Sequence, residues 1–320
     1  MATKTKKTIS IIVPCYNEEE ALPLFYKEIV KVLKTLNTNY ELVLVNDGSK
    51  DNTLNVMKDL AKKDKNVIYL SFSRNFGKEA AMYAGLNNAK GDYVGFIDAD
   101  LQHPPMLLKE MLEKLETSDY DCAACRRVDR TGDSKVRTFF ARNFYKIINK
   151  ISDVKLVDGA GDYRLMKRNM VDAILSMSEY NRFSKGIFSW VGFKTYWIDY
   201  ENVDRVAGTT SWSFSGLMKY AVDGVVNFTN APLDIATWAG LIFSLIAFIY
   251  LLVVIIKYAL FGDPVQGWAT TICVILIIGG IQLFSIGVMG QYIGKTYMEV
   301  KNRPHYIISD TNSKKANSIK

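Results

Sequence analysis

The stretch that decides the fold runs from residue 93 to residue 105 and reads YVGFIDADLQHPP. Its first five residues are uncharged and strand-like, and they end at two carboxylates, Asp98 and Asp100. Pro105 then opens a helical pattern that continues to about residue 115, and proline is well suited to the first turn of a helix. The stretch therefore predicts a buried strand, an acidic turn at its carboxyl end, and a helix.

The same order of strand and helix extends upstream of this stretch. Strand-like runs at residues 8–14, 40–45 and 66–72 are each followed by a helical pattern, at residues 19–36, 52–63 and 78–89. A further strand is predicted at residues 121–125, and residues 158–166 are a candidate to return to the sheet. Alternation of this kind predicts an α/β fold with a parallel sheet covered on both faces. Ligands of such folds bind at the carboxyl ends of the strands.

Polar loops follow the first four predicted strands at that edge. Asp98 and Asp100 could both reach a hard cation, which takes oxygen ligands and is commonly shared with phosphates. Such a cation would neutralise a diphosphate leaving group. Any one of these loops is equally well explained as a turn or a helix cap, but their convergence favours a binding site. The other three loops are VPCYNEE (13–19), VNDGS (45–49) and SRNFGK (73–78).

Two long uncharged runs follow the α/β part, at residues 235–256 and 265–294. Each exceeds the roughly 20 residues that span a bilayer core, and each has a tryptophan, Trp238 or Trp268, near one end as interfacial aromatics do. The alternative is a pair of buried core helices. With no signal peptide recognised, the expected topology places residues 1–212 in the cytoplasm as the catalytic domain.

The expected arrangement continues with an interfacial amphipathic helix within residues 213–232. Two C-terminal transmembrane helices then occupy residues 233–294, and residues 295–320 form a basic cytoplasmic tail, as the positive-inside rule favours. The chain carries a formal net charge of +7. We expect this charge to face anionic lipid, and we expect no nucleic-acid partner. The tail beyond Ser309 is expected to be disordered.

Cys122 and Cys125 form a lone C-x-x-C pair among four cysteines. The chain holds only two histidines, so a zinc site lacks ligands. A redox pair is one interpretation, and a pair of small buried strand residues is the other.

The motifs named above, followed by GDYRLM (161–166), Arg182-Phe183, RVAG (205–208) and GKTYMEVKNRP (294–304), resemble the family 2 glycosyltransferases. The similarity spans nearly the whole chain and is greatest to the bactoprenol-phosphate glucosyltransferase branch, which is related to dolichol-phosphate mannose synthases. It implies a GT-A, Rossmann-like mixed sheet as the catalytic domain. The chain departs from the usual pattern at residues 167–168 and 209–212, which concerns acceptor-side detail.

The resemblance also implies roles for individual residues. Asp162 and Asp100 are the expected catalytic residues, and Asp98 and Asp100 are expected to hold Mg²⁺ or Mn²⁺. Acceptor binding is expected at Arg127, Arg130 and Arg137. The residues expected to bind the donor are Pro14, Tyr16, Glu18, Asp47, Lys78, Asp98, Gln102 and Arg205.

The predicted reaction is the inverting transfer of one hexose from a UDP-sugar to undecaprenyl phosphate at the cytoplasmic face of the cell membrane. UDP-glucose is the first candidate donor and UDP-N-acetylglucosamine the second, and a homo-oligomer is expected by resemblance. A processive polysaccharide synthase is an alternative, but the chain lacks the Q-x-x-R-W motif of that group. A non-catalytic membrane scaffold is the third, and the intact Asp98, Asp100 and Asp162 argue against it.

Overall fold

The computed structural model describes residues 6–127, 148–150, 152, 154–200, 226–261 and 267–316. The strands within these residues are β1 (Thr8–Cys15), β2 (Asn39–Asn46), β3 (Val67–Phe72), β4 (Tyr93–Phe96), β5 (Cys122–Arg127), β6 (Ala160–Lys167), β7 (Thr195–Tyr200) and β8 (Ile308–Thr311). The helices are α1 (Ala21–Leu33), α2 (Thr53–Lys63), α3 (Lys78–Asn88), α4 (Leu107–Thr117), α5 (Arg168–Ser176), α6 (Ser184–Trp190), α7 (Ala231–Phe261) and α8 (Trp268–Val300).

One eight-stranded sheet, in the order β7-β5-β6-β4-β1-β2-β3-β8, forms the centre of the α/β part. The expected strand–helix alternation is confirmed, and β4-β1-β2-β3 are parallel as predicted. The sheet as a whole is mixed, because β6 runs antiparallel to β4 and β5 and β8 runs antiparallel to β3. The first four strands therefore end at one edge, where their polar loops meet.

Two apolar layers cover the faces of this sheet. On one face, buried side chains of α1, α2 and α4 pack on alternate residues of β1, among them Ile9 and Ile11. On the other face, α3, α5 and α6 pack on Ile12 and on the buried side of β2. The alternation follows from the two-residue period of a strand, and burial on both sides explains the near-continuous apolar runs of β1 and β2.

The expectation that the chain is disordered after Ser309 is wrong. β8 adds to the edge of β3, with Ser71 opposite Asp310, and Tyr306 stacks on Phe72 with ring centroids 5.1 Å apart. Lys58 forms an ion pair with Asp310 at 2.5 Å. A short polar strand of this kind is stabilised by backbone pairing with β3, and its own residue pattern carries no strand signal. The C-terminal segment is thus part of the eight-stranded sheet.

The two uncharged runs form the long helices α7 and α8, and the side chains that the structure describes in them are predominantly exposed. Each contains a segment long and apolar enough to cross a membrane, at Ala231–Tyr250 and Ile277–Val300. The exposure argues against the alternative of buried core helices. Helix α8 extends to Val300, beyond the expected end of the span at residue 294. The predicted amphipathic helix lies outside the described residues up to residue 225, and residues 226–228 form a helical turn.

The final part of α8 contacts the α/β part through polar groups. The Tyr292 hydroxyl donates to the Thr229 carbonyl at 2.7 Å, and the Lys295 ammonium donates to Asn227 Oδ1 at 2.7 Å. The backbone N–H of Tyr180 donates to a carboxylate oxygen of Glu299 at 2.8 Å. Glu299 therefore joins the end of α8 to the α/β part, whereas Tyr292 and Lys295 join it to the segment before α7.

Candidate active site

The loops after β1 and β2 are joined by hydrogen bonds at the carboxyl edge of the sheet. The backbone N–H of Asn17 donates to Ser49 Oγ at 2.9 Å, and that of Glu18 donates to Thr53 Oγ1 at 2.8 Å. Asn17 adopts a φ of 56°, a conformation that asparagine tolerates better than most residues. The bonds hold the first loop in place, with the Tyr16 ring 38% exposed beside it.

Asp47 organises the next pair of loops. Its carboxylate is 4% exposed and accepts the backbone N–H groups of Phe76 at 2.7 Å and Gly77 at 3.0 Å. Burial raises the pKa of Asp47 to about 6, although these two bonds and the charge of Arg74 act in the opposite direction. Gly48, with a φ of 66°, allows this close approach, because a Cβ there would lie 2.3 Å from the carbonyl carbon of Arg74.

The central feature of the site is a lysine that lies between two carboxylates. Lys78, the first residue of α3, places its Nζ 2.8 Å from Asp98 Oδ1 and 2.8 Å from Asp162 Oδ2. Asp98 follows β4, and Asp162 lies on β6, which pairs with β4. The antiparallel return of β6 thus brings Asp162 to the edge where Asp98 lies.

The charges of this triad affect one another. Burial alone would lower the pKa of Lys78, but the adjacent carboxylates of Asp162 and Asp98 raise it well above its ordinary value. Burial alone would raise the pKa of Asp162, but the positive charges of Lys78 and Lys185 hold it well below the usual range. Asp162 is therefore ionised throughout the neutral range, and Lys78 remains protonated.

Asp100 lies two residues beyond Asp98 and is 7% exposed. One of its carboxylate oxygens accepts the backbone N–H of Gln102 at 3.1 Å. No group of three or more His, Cys, Asp or Glu side chains among the described residues could by itself hold a metal ion. Mg²⁺ and similar ions are commonly held by one or two carboxylates together with substrate phosphates. The oxygen donors of Asp98 and Asp100 fit a divalent cation of this shared kind.

Two further residues of the site had no role assigned from the sequence. His103, within the quoted motif at residues 93–105, packs against Tyr163 with ring centroids 5.4 Å apart, and burial lowers its pKa although Asp98 and Asp100 act to raise it. Glu79 accepts the backbone N–H of Ser184 at 3.1 Å and also its hydroxyl. Glu79 thereby ties the start of α3 to the start of α6. Its position next to Lys78 was the only sequence signal.

The acceptor-side predictions are only partly within the described residues. Arg127 ends β5, and its backbone N–H donates to the Gly159 carbonyl at 2.9 Å. Arg130, Arg137 and Arg205 lie outside the described residues. Cys122 and Cys125 are unbridged and buried within β5, and burial raises the pKa of the Cys125 thiol to about 12. That buried environment favours the interpretation of the two cysteines as small strand residues over a redox pair.

This chain is similar over most of its length to other proteins. CsbB of Bacillus subtilis (strain 168) is 46% identical over 95% of this chain and 92% of its own. The prophage bactoprenol glucosyl transferase homolog of Escherichia coli (strain K12) is 44% identical, with 94% and 98% covered. Among solved structures, glucosyl-3-phosphoglycerate synthase of Mycobacterium tuberculosis, crystallised with Mn²⁺ and UDP-glucose, aligns with a TM-score of 0.46 at 17% identity, over 69% of this chain and 78% of that one.

The family description "Glycosyl transferase family 2" matches residues 10–175. That range extends from β1 to α5 and contains Asp47, Lys78, Asp98, Asp100 and Asp162. The matched region is thus the part of the sheet that carries the polar edge. The chain belongs to glycosyl transferase family 2 and is a glycosyltransferase.

Proposed function

We propose that this glycosyltransferase moves a single hexose, glucose in the first instance, from a UDP-sugar to undecaprenyl phosphate, with inversion, at the cytoplasmic face of the cell membrane. The observation that carries the proposal is the placement of Lys78 between Asp98 and Asp162, at the edge where the loops of the family's donor motifs meet. The name of the E. coli relative, with its bactoprenol acceptor and glucosyl group, supports the lipid phosphate and the sugar.

The donor would lie across the loops after β1 to β4. Pro14, Tyr16, Glu18 and Asp47 would surround the nucleoside, and the hydrogen bonds between these loops keep them ready to bind it. Asp98 and Asp100 would hold Mg²⁺ or Mn²⁺. When bound, the ion neutralises charge on the diphosphate. We assign Gln102, Lys78 and Arg205 to the diphosphate and sugar side of the donor.

The acceptor phosphate would attack the anomeric carbon from the face opposite the diphosphate. One C–O bond forms to the phosphate oxygen and the C–O bond to the diphosphate breaks, so UDP leaves and the anomeric configuration inverts. A phosphate monoester has a second pKa of about 6 and is largely ionised at neutral pH. It therefore needs little help from a base, and Asp162, whose pKa lies well below the usual range, would be a weak one. We assign Asp162 to orienting the sugar and the acceptor.

The topology of the chain supports a cytoplasmic catalytic part with two membrane spans. The segment before α7 and the segment after α8 belong to the same sheet, since β8 pairs with β3. Two spans return the chain to the side from which it left, which this pairing requires. Residues 213–232, most of which lie outside the described part, are assigned to the membrane interface, and Arg127, Arg130 and Arg137 to the acceptor. We infer a homo-oligomer from resemblance alone.

The test is transfer with purified full-length protein, undecaprenyl phosphate and a panel of radiolabelled UDP-sugars. We expect one sugar per lipid from UDP-glucose and release of UDP. Preference for UDP-N-acetylglucosamine would correct the donor alone, and polymer formation would indicate a processive synthase. Donor binding without turnover on any lipid phosphate would favour the scaffold and refute the proposal.

A further inference from the structure

A recess of about 270 Å³ opens on the α6 side of the sheet. Its described lining comes from β6, β7, α6 and the segments beside them, and none of it from the loops after β1 to β4. The recess is therefore separate from the donor-binding edge. The lining includes Arg164, Lys185, Phe188, Phe193 and Trp197.

Arg164 is an unusual residue to find in this lining. The residue is 3% exposed, yet its Nε has no hydrogen-bond partner within the described part of the chain. Its guanidinium lies 3.6 Å from the centroid of the Phe188 ring, and Nη2 donates to the Gly161 carbonyl at 2.9 Å. A buried donor without a partner is destabilising. The fold keeps a cation with spare donor capacity at the wall of a recess.

Lys185 supplies a second positive charge to the same recess. Its charge also helps to lower the pKa of Asp162. Asp162 and Arg164 are two residues apart on β6 and therefore face the same side of the sheet. Arg164, which lines the recess, is thus two residues from the candidate catalytic carboxylate and on the same face of β6.

The remaining wall of the recess is mixed, with three aromatic rings and the hydroxyl residues Ser189 and Thr195. Phe188, Phe193 and Trp197 line it together with the two cations. Three aromatic rings would contribute little to the binding of a free inorganic anion. Two adjacent cations suit a doubly charged phosphate, which forms strong charge-assisted hydrogen bonds with arginine and lysine, and the rings suit a hydrocarbon attached to it.

We propose that this recess holds the acceptor: Arg164 and Lys185 bind the phosphate monoester, and the aromatic wall contacts the first unit of its hydrocarbon chain. This inference rests on the proposed function and adds residues to the acceptor site beyond the arginines predicted from the sequence. With the acceptor bound in this recess, the phosphate would approach the sugar past Asp162, from the side opposite the leaving diphosphate.

The test uses the full-length protein in detergent, titrated calorimetrically in the presence of UDP with three probes: farnesyl phosphate, farnesol and inorganic phosphate. Farnesyl phosphate should bind more tightly than either of the others, because it alone offers both the charge and the hydrocarbon. Equal binding of inorganic phosphate and farnesyl phosphate would overturn the lipid assignment.

Lys185→Met should weaken farnesyl phosphate binding, and raise the acceptor KM in transfer assays, by about 10- to 100-fold, the usual value of a hydrogen bond to a charged group. The donor KM should remain unchanged. Lys62→Met is the matched control, because Lys62 is on α2 and its side chain is 76% exposed. Arg164→Lys, which retains the charge but loses the planar fork, should raise the acceptor KM with the fold intact by circular dichroism.

The outcomes separate this inference from the proposed function. If the wild-type protein glycosylates a polyisoprenyl phosphate and Lys185→Met leaves the acceptor KM unchanged, the recess is not the acceptor site although the reaction stands. If the wild-type protein transfers no sugar to such lipids, yet Lys185→Met abolishes farnesyl phosphate binding, the recess binds prenyl phosphates and the proposed function is wrong.

Discussion

Tyr306→Ala should destabilise the catalytic part, although the residue lies after both apolar helices and far from the active site in sequence. Tyr306 stacks on Phe72 of β3 and also packs edge-on against Tyr83 of α3, with centroids 6.4 Å apart. Burial raises the pKa of its hydroxyl to about 12. These contacts bind the C-terminal segment to the sheet and to the helix that begins with Lys78.

The size of the effect follows from these contacts. An aromatic side chain buries about 150–250 Å², which at about 25 cal/mol per Å² is roughly 4–6 kcal/mol for complete burial. Tyr306 is only half-buried, so about 2–3 kcal/mol is expected from area, and the ring pair adds about 0.5–1.5 kcal/mol. A loss of about 3 kcal/mol corresponds to a decrease in Tm of about 6–12 °C for a domain of this size.

The assay is thermal unfolding in detergent at a fixed scan rate, since the Tm depends on scan rate when unfolding is irreversible. Tyr297→Ala is the matched control, because Tyr297 on α8 is 58% exposed, and it should change the Tm by little. Tyr306→Phe should retain most of the stability, because it keeps the ring. Equal Tm values for Tyr306→Ala and Tyr297→Ala would refute the conclusion that the C-terminal segment belongs to the folded catalytic part.

Three further predictions concern the chemistry of the site. EDTA should abolish transfer, Mg²⁺ or Mn²⁺ should restore it, and Asp100→Asn should be nearly inactive even with added metal; full activity after dialysis against EDTA would contradict the metal role. Asp162→Asn should lose activity, by up to about 10² to 10⁴-fold if Asp162 is a true base. Partial recovery of activity as the pH rises above about 6 and the acceptor ionises fully would support the orienting role, whereas a pH profile that stays flat near zero would reject it. The affinity for UDP-glucose, measured by calorimetry, should weaken as the pH falls through about 6, because Asp47 then gains a proton and loses acceptor capacity. The Asp47→Asn variant should bind UDP-glucose more weakly and show no such pH dependence. If the affinity of the wild-type protein does not change between pH 5 and 7.5, that result would count against donor binding by Asp47.

The candidate donor edge was predictable from the sequence because each of its parts is local. Asp98 and Asp100 directly follow an apolar strand, and Asp47 and Gly48 directly follow another, so strand period and turn chemistry suffice to place them. Parallel strands separated by helices end at the same edge, and the meeting of these loops follows from that rule. The apolar helices were predictable for a similar reason, since their length and composition are local properties.

The parts that could not be predicted depend on contacts between distant residues. The pairing of Lys78 with Asp162 requires β6 to return antiparallel beside β4, and nothing in the local pattern at residues 160–167 fixes that direction. β8 is a strand only because β3 offers it an open edge, which a sequence window around residues 308–311 does not reveal. The burial of Arg164 against Phe188 is likewise visible only once α6 is placed on the sheet.

The position of β8 restricts how the α/β part sits relative to the two apolar helices. Among the described strands, β7 is the last before α7 and β8 is the one after α8, and these two strands are the opposite edges of an eight-stranded sheet. Neighbouring strands are about 4.8 Å apart, so the two edges are separated by roughly 34 Å along the sheet.

A domain attached by one linker can turn about it, but a domain attached at both edges of its sheet to the same helix pair is restrained against that rotation. The hydrogen bond from the Tyr180 backbone N–H to Glu299 adds a third restraint near the end of α8. In the proposed bilayer arrangement, this restraint would keep the recess beside Asp162 directed at the lipid headgroups. The acceptor phosphate, which cannot leave the membrane surface, would then find the site at a fixed height and orientation.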